Sequence, residues 1–165
     1  MRQRSRASSH KKAVLLLLNR ENIMGYVNVN ALGREKAVDL LTPQGEHKSI
    51  NLEDIKSVYF VKEFHEPYEL ERKSFLSRPK LDGLWVRLKF SDDDVLEGIV
   101  ANDLVDLLDS GVRLTPPDIH GNTLRMFVPR TALVEMKVLG VVGVARRPQP
   151  RAEKLPESQP NLFGE

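Results

Sequence analysis

The sequence matches itself at a fixed spacing. Shifted by 73 positions, residues 13–45 fall on 86–118, so that Leu15 meets Leu88, Leu17 meets Phe90 and Gly25 meets Gly98. Leu41-Thr42-Pro43 meets Leu114-Thr115-Pro116 in the same frame, without a gap. Five further residues, Ile119 to Thr123, then move the spacing to 78, after which Ile50 to Ile55 falls on Val128 to Leu133 and Val58 on Met136. Two landmarks held at one spacing point to a tandem duplication of a unit of about 50–60 residues. That limits the fold sharply, because each unit must be a small element set able to pack beside its own copy.

Within a unit the pattern is that of short strands. Val86, Leu88 and Phe90 alternate with Arg87, Lys89 and Ser91, the period-2 signature of a strand buried on one face. Asp92-Asp93-Asp94 supplies a turn, and Val95 to Val100 continues as a second strand with Gly98 inside it, a glycine that marks a sharp bend or bulge of the kind a small barrel uses to turn a corner. Gly111 to Leu114 makes a third strand, ended by Pro116 and Pro117, and Leu124 to Val128 and Leu133 to Leu139 make a fourth and a fifth. The expected architecture is mainly β, with two tandem small five-stranded barrels joined by a short helical linker. The boundaries are a basic arm at 1–12, a first unit at 13–62, a linker predicted helical at 63–84, a second unit at 85–143 and a proline-rich tail at 144–165.

Each unit resembles an Sm-like or SH3-like domain. The segments that carry the resemblance are Leu15 to Gly25, Leu88 to Gly98 and the closing Met126 to Met136, the last similar to the end of the bacterial Sm-like RNA chaperone. Arg20 and Asp93 stand where Sm domains have a turn glycine. The stretch 13–143 also resembles an uncharacterised bacterial domain family whose members carry a Lys-Ser-Val-Tyr-Phe-Val type strand, here Lys56 to Val61. The Sm resemblance implies a small β-barrel and an RNA-binding role; the second family implies no activity.

Charge separates the ends from the middle. Residues 1–12 carry Arg2, Arg4, Arg6, Lys11 and Lys12 and no acid, whereas 13–143 hold 16 basic against 20 acidic residues, a net of about −4. The arm and the Pro148, Pro150, Pro156 and Pro160 tail read as poor folders. With no cysteine, a disulfide framework, a thiolate metal site and a cysteine nucleophile are excluded, and a reducing compartment is expected. The six apolar residues Ala13 to Leu18 run into Asn19, Arg20 and Glu21, too short for a signal core of roughly 7–15. A cytoplasmic protein with no membrane partner is expected.

Catalytic constellations are missing from the pattern: there is no acid–base pair, activated nucleophile or phosphate loop. His10, His47, His65 and His120 are scattered, and Asp92 to Asp94 lack the later glycine and glutamate of a calcium loop. No enzyme, cofactor or metal is expected. The informative contrast lies on the outer faces, where unit two has Arg87, Lys89, Ser91 and Lys137 and unit one has Val14, Leu16, Leu18 and Tyr59. An apolar face of that size needs a cover. An amphipathic linker helix carrying Phe64, Tyr68, Phe75 and Leu76 is one cover; a homodimer or another protein on the same residues is the other.

Function therefore reads as non-enzymatic binding or scaffolding through protein–protein contacts. The candidate interface is Val14, Leu16, Leu18, Tyr59, Phe64 and Tyr68; the candidate polyanion contacts are Arg2, Arg4, Arg6, Lys11 and Lys12. RNA binding is the alternative, ranked below because single-strand readers need aromatic platforms and the folded part is acidic. A lower alternative is cyclic-di-GMP sensing, since Arg2 and Arg6 share the Arg-x-x-x-Arg spacing of PilZ-class receptors, although the companion Asp/Asn-x-Ser-x-x-Gly motif is absent. At the other end, Gln159, Leu162 and Phe163 resemble the Gln-x-x-Leu-Phe peptide that docks on the bacterial replication clamp.

Overall fold

The alternating segments form ten strands, five in each copy; the first begins at His10, so the last three residues of the arm expected not to fold are part of it. The computed structural model describes residues 9–118 and 120–143. Its strands are β1 (His10–Leu17), β2 (Asn22–Asn28), β3 (Ala37–Leu41), β4 (His47–Asn51), β5 (Ile55–Val61), β6 (Gly83–Phe90), β7 (Val95–Val100), β8 (Gly111–Leu114), β9 (Thr123–Pro129) and β10 (Leu133–Val142). Single 3-10 turns at Leu52–Asp54 and Arg130–Ala132 precede β5 and β10, and the four-residue α1 (Leu104–Leu107) is the one α-helix among the described residues.

All ten strands belong to one open antiparallel run. Seven are ordered β4-β3-β2-β1-β5-β9-β8 and three are ordered β10-β6-β7, the two groups meeting at a single bridge from Ile99 to Thr115. The first half is thus β4-β3-β2-β1-β5, the second is β9-β8-β7-β6-β10, and β5 pairs with β9 across the junction through Val58↔Phe127, Tyr59↔Met126 and Phe60↔Arg125.

This arrangement corrects the expectation of two five-stranded barrels. Strand β9 belongs to both halves because its side chains alternate. Phe127 is fully buried in the first-half core with Leu15, Leu40, Ile55 and Val58, while Met126 and Val128 enter the second-half core with Val86, Leu88 and Leu114. A strand that fills two cores cannot be divided between two closed barrels. The linker is corrected as well: residues 62–82 contain no helix. Pro67 lies between Phe64 and Tyr68 and forces the residue before it out of the helical region, so the apparent helical spacing of those rings has no helix behind it.

The glycines inside the second strands make room for the next strand; the registers of β1 with β2 and of β6 with β7 run through Gly25 and Gly98 without the expected bulge. A Cβ on Gly25 would stand 2.5 Å from the Leu41 carbonyl oxygen, and one on Gly98 would stand 2.6 Å from the end of Leu114. In each half the following strand crosses at that point. The hairpin turns place Arg20 and Asp93 at φ 72° and 67°, so two ordinary side chains adopt the left-handed conformation that favours glycine.

Candidate binding groove at the junction

The apolar outer face of the first half is covered by its own chain. Val14 is fully buried in a cluster with Val61 and Tyr68, flanked by Tyr59 and Phe64, and the Tyr68 hydroxyl donates to the Met24 sulfur at 3.6 Å. Segment 62–82 is therefore an extended strap that takes the place of the expected helix. It continues over the second half, where the Phe75 ring packs edge-on against Trp85 at 6.2 Å and Arg78 donates to the Val141 carbonyl at 2.6 Å. Glu97, buried on β7, ties the strap down by accepting from the Phe75 N–H at 2.9 Å and from the Trp85 indole at 3.3 Å, with Arg87 at 3.4 Å.

The cover is incomplete. Leu16 is half-buried and Leu18 exposed beside a cavity of about 520 Å³ that also takes in Tyr59, Tyr68 and Leu70. Its polar wall is an ion network: Lys56 donates to Asp92 at 2.7 Å and Asp94 at 3.0 Å, and Lys73 reaches Asp94 at 3.1 Å. Burial alone would pull the Lys56 ammonium down, but the two carboxylates outweigh it and hold it above the usual lysine range. The bond from Lys56 holds Asp92 below the usual carboxylate range; for Asp94, burial pushes up, and Lys56 and Lys73 together overcome it and leave it lowered. Burial raises the Tyr59 phenol. The aspartates are thus engaged by lysines, and among the described residues no group of three or more His, Asp or Glu side chains is arranged to hold a metal.

A second, larger concavity of about 880 Å³ lies where the halves join. Strand pairing builds it row by row: Lys12 on β1 faces Tyr26 on β2, Ala13 faces Phe60 on β5, and Phe60 faces Arg125 on β9. The Lys62 N–H bonds to the Asn122 carbonyl at 2.9 Å, and the Asn122 side chain exchanges bonds with the Glu63 backbone at 3.0 and 2.8 Å. These bonds fix the start of the strap beside Leu124. Arg113 on β8 enters from the far side, its guanidinium donating to the Leu32 carbonyl at 2.8 Å.

The lining is one-sided in charge. Lys11, Lys12, Lys62, Arg113 and Arg125 surround it with His10, no carboxylate is among the lining residues, and Tyr26, Val29, Phe60, Val61 and Leu124 supply the apolar surface. Lys12 is partnered at the rim, 3.1 Å from Glu63 and 5.8 Å above the Phe64 ring. An acidic middle segment therefore carries a local basic groove, continuous in sequence with Arg2, Arg4 and Arg6.

The chain belongs to a family of unknown function, DUF6982. That family's model matches residues 9–140, which include every strand pair of the junction and the whole groove. No curated protein and no solved structure matches the chain.

Of the residues singled out in sequence, Val14 and Tyr59 lie under the strap against its own Phe64 and Tyr68, and Leu16 and Leu18 line the cavity beside it. Lys11 and Lys12 do border the basic groove. Arg2, Arg4, Arg6, Gln159, Leu162 and Phe163 lie outside the described residues. Phe60, Lys62, Arg113 and Arg125 were not anticipated, because strand pairing alone unites them. One signal was visible: Arg113 stands where the first copy has the core residue Leu40. Among the described residues no helix is long and apolar enough to cross a membrane.

Proposed function

We propose that this protein is a non-enzymatic binding protein whose recognition surface is the junction groove, and that it receives an acidic, extended segment of a protein partner. The observation carrying this reading is five lysine and arginine side chains and a histidine around an apolar floor, with no carboxylate among the lining residues. Such a surface attracts acidic side chains at the rim and buries an aromatic or aliphatic anchor on Phe60, Val61 and Leu124. Long-range attraction governs encounter, and the apolar floor contributes residence time.

A second reading, single-stranded RNA, is favoured by one observation: Tyr26 and Phe60 place two rings among the cations. Bases stack on such rings while phosphates meet lysine and arginine. Fluorescence anisotropy with a labelled peptide of alternating Glu and Leu/Phe and with an oligouridylate separates the two. The peptide is expected to bind, and the double variant Lys62→Glu/Arg125→Glu, at two exposed positions, to weaken it at least tenfold. Tight oligouridylate binding with an inert peptide would transfer the assignment to RNA, and silence from both probes would remove the groove from consideration.

A further inference from the structure

The junction inside the chain has two components. One is strand pairing, β5 of the first half against β9 of the second. The other is the loop between β2 and β3, which leans on the second half through its backbone: the Leu32 carbonyl accepts from Arg113, the Gly33 carbonyl accepts from Ser110, and Gly33 lies against the Phe127 ring, while the Leu32 side chain, 3% exposed, packs in the first-half core that Phe127 completes. The first half thus buries its last strand and this loop on its neighbour.

Among the described residues nothing covers the same two features of the second half. Strand β10, the counterpart of β5, pairs with β6 on one side only, and Val134 and Val138 on it are 62% and 55% exposed. The loop between β7 and β8 is the counterpart of the buried one, the 73-residue spacing setting Val105 on Leu32. There Leu104, Val105 and Leu108 are 75%, 77% and 76% exposed. At the opposite end of the run β4, the counterpart of β9, has no strand on its outer edge among the described residues. Each end therefore offers one side of the junction that the middle of the chain already makes.

We infer that the chain associates head to tail with copies of itself, β10 and the α1 turn, Leu104 to Leu108, of one copy docking on β4 and the first half of the next. Transposing the internal register sets Met136 opposite Ser49 and Lys137 opposite Lys48. The like charges of that last pair are offset on the diagonals, where Glu135 meets Lys48 and Lys137 meets Glu46. Neither strand contains a proline to block the added ladder. An acidic rim of Asp103, Asp106 and Asp109 borders the exposed loop, and Lys36 and Lys48 lie on or beside the receiving strands. The contact is heterologous, so each copy leaves a new free end for the next.

Light scattering on the full chain tests the stoichiometry. Masses that rise with concentration to multiples of 18.7 kDa are expected, and the double variant Leu104→Asp/Val105→Asp should return the protein to 18.7 kDa with unchanged circular dichroism. Its two positions are solvent-exposed, so the fold does not depend on them. Because the chain has no cysteine, mixing a Ser49→Cys protein with a Met136→Cys protein under mild oxidant reads the register directly. A disulfide formed in the mixture and in neither protein alone supports the proposal. A wild-type chain that stays at 18.7 kDa, or Met136→Cys cross-linking to itself as readily as to Ser49→Cys, overturns it.

Discussion

The two halves share a strand order and differ in self-sufficiency. The first half fills its core with Phe127, a side chain belonging to a strand of the second, and covers its apolar outer face with Tyr68 from the strap. The second half fills its core almost entirely from its own strands. Its outer face carries ion pairs open to water, with Lys89 3.6 Å from Asp93 and Lys137 2.9 Å from Glu135. One strand plan thus tolerates opposite outer chemistries, the strap covering the apolar face of the first half and, on the second, reaching Trp85 and Glu97 while the lysine pairs stay open to water.

That asymmetry is open to attack residue by residue. Phe127→Ala removes a fully buried ring from the half it does not belong to, and should cost about 4 kcal/mol of unfolding free energy. Chemical denaturation should still show a single transition shared by both halves, and two separate transitions would break the picture of one cooperative sheet. Tyr68→Ala uncovers Val14 and Val61 and should cost about 3 kcal/mol, with a rise in binding of a hydrophobic dye. Glu97→Ala strands the Phe75 and Trp85 donors and should cost about 2 kcal/mol; faster amide exchange confined to the strap would be its signature.

The ion network predicts a pH profile. Asp92 and Asp94 are held below the usual carboxylate range, so their stabilisation is present above about pH 4 and is lost as acid protonates them in the folded state. Lys56 is held above the usual lysine range, so its share is present below about pH 10.5 and is lost as base removes the proton. Lys56→Met should lower stability at neutral pH by about 1–2 kcal/mol and flatten the acid limb of the melting temperature against pH. At the small end, Lys89→Ala breaks an exposed pair of the second half and should change stability by less than about 0.5 kcal/mol.

Local pattern was enough to place the strands. Alternation at Val86, Leu88 and Phe90, with a glycine in each second strand, is imposed by neighbours a few residues away, and the structure follows it. Pairing across the junction depends on residues far apart in sequence, and nothing local to Val58 announces Phe127 as its partner. Four aromatic and aliphatic positions suggested a helix between the halves, yet one proline outweighed their spacing. The groove was half legible: Lys11 and Lys12 stood out as a charge run, whereas Lys62, Arg113 and Arg125 come from separate segments and acquire meaning only in the folded sheet.

The placement of β9 between two cores also sets a timetable. When Val61 leaves the ribosome, the first half has its five strands but lacks the ring that fills its centre and the strand that covers the edge of β5. Roughly 60 further residues must be synthesised before β9 arrives, a wait of about 3–12 s at usual elongation rates. During that interval a nascent chain holds an open apolar cavity and a bare strand edge, the features that chaperones bind and that neighbouring nascent chains can pair with. The half made first therefore has no complete core until the half made second supplies it.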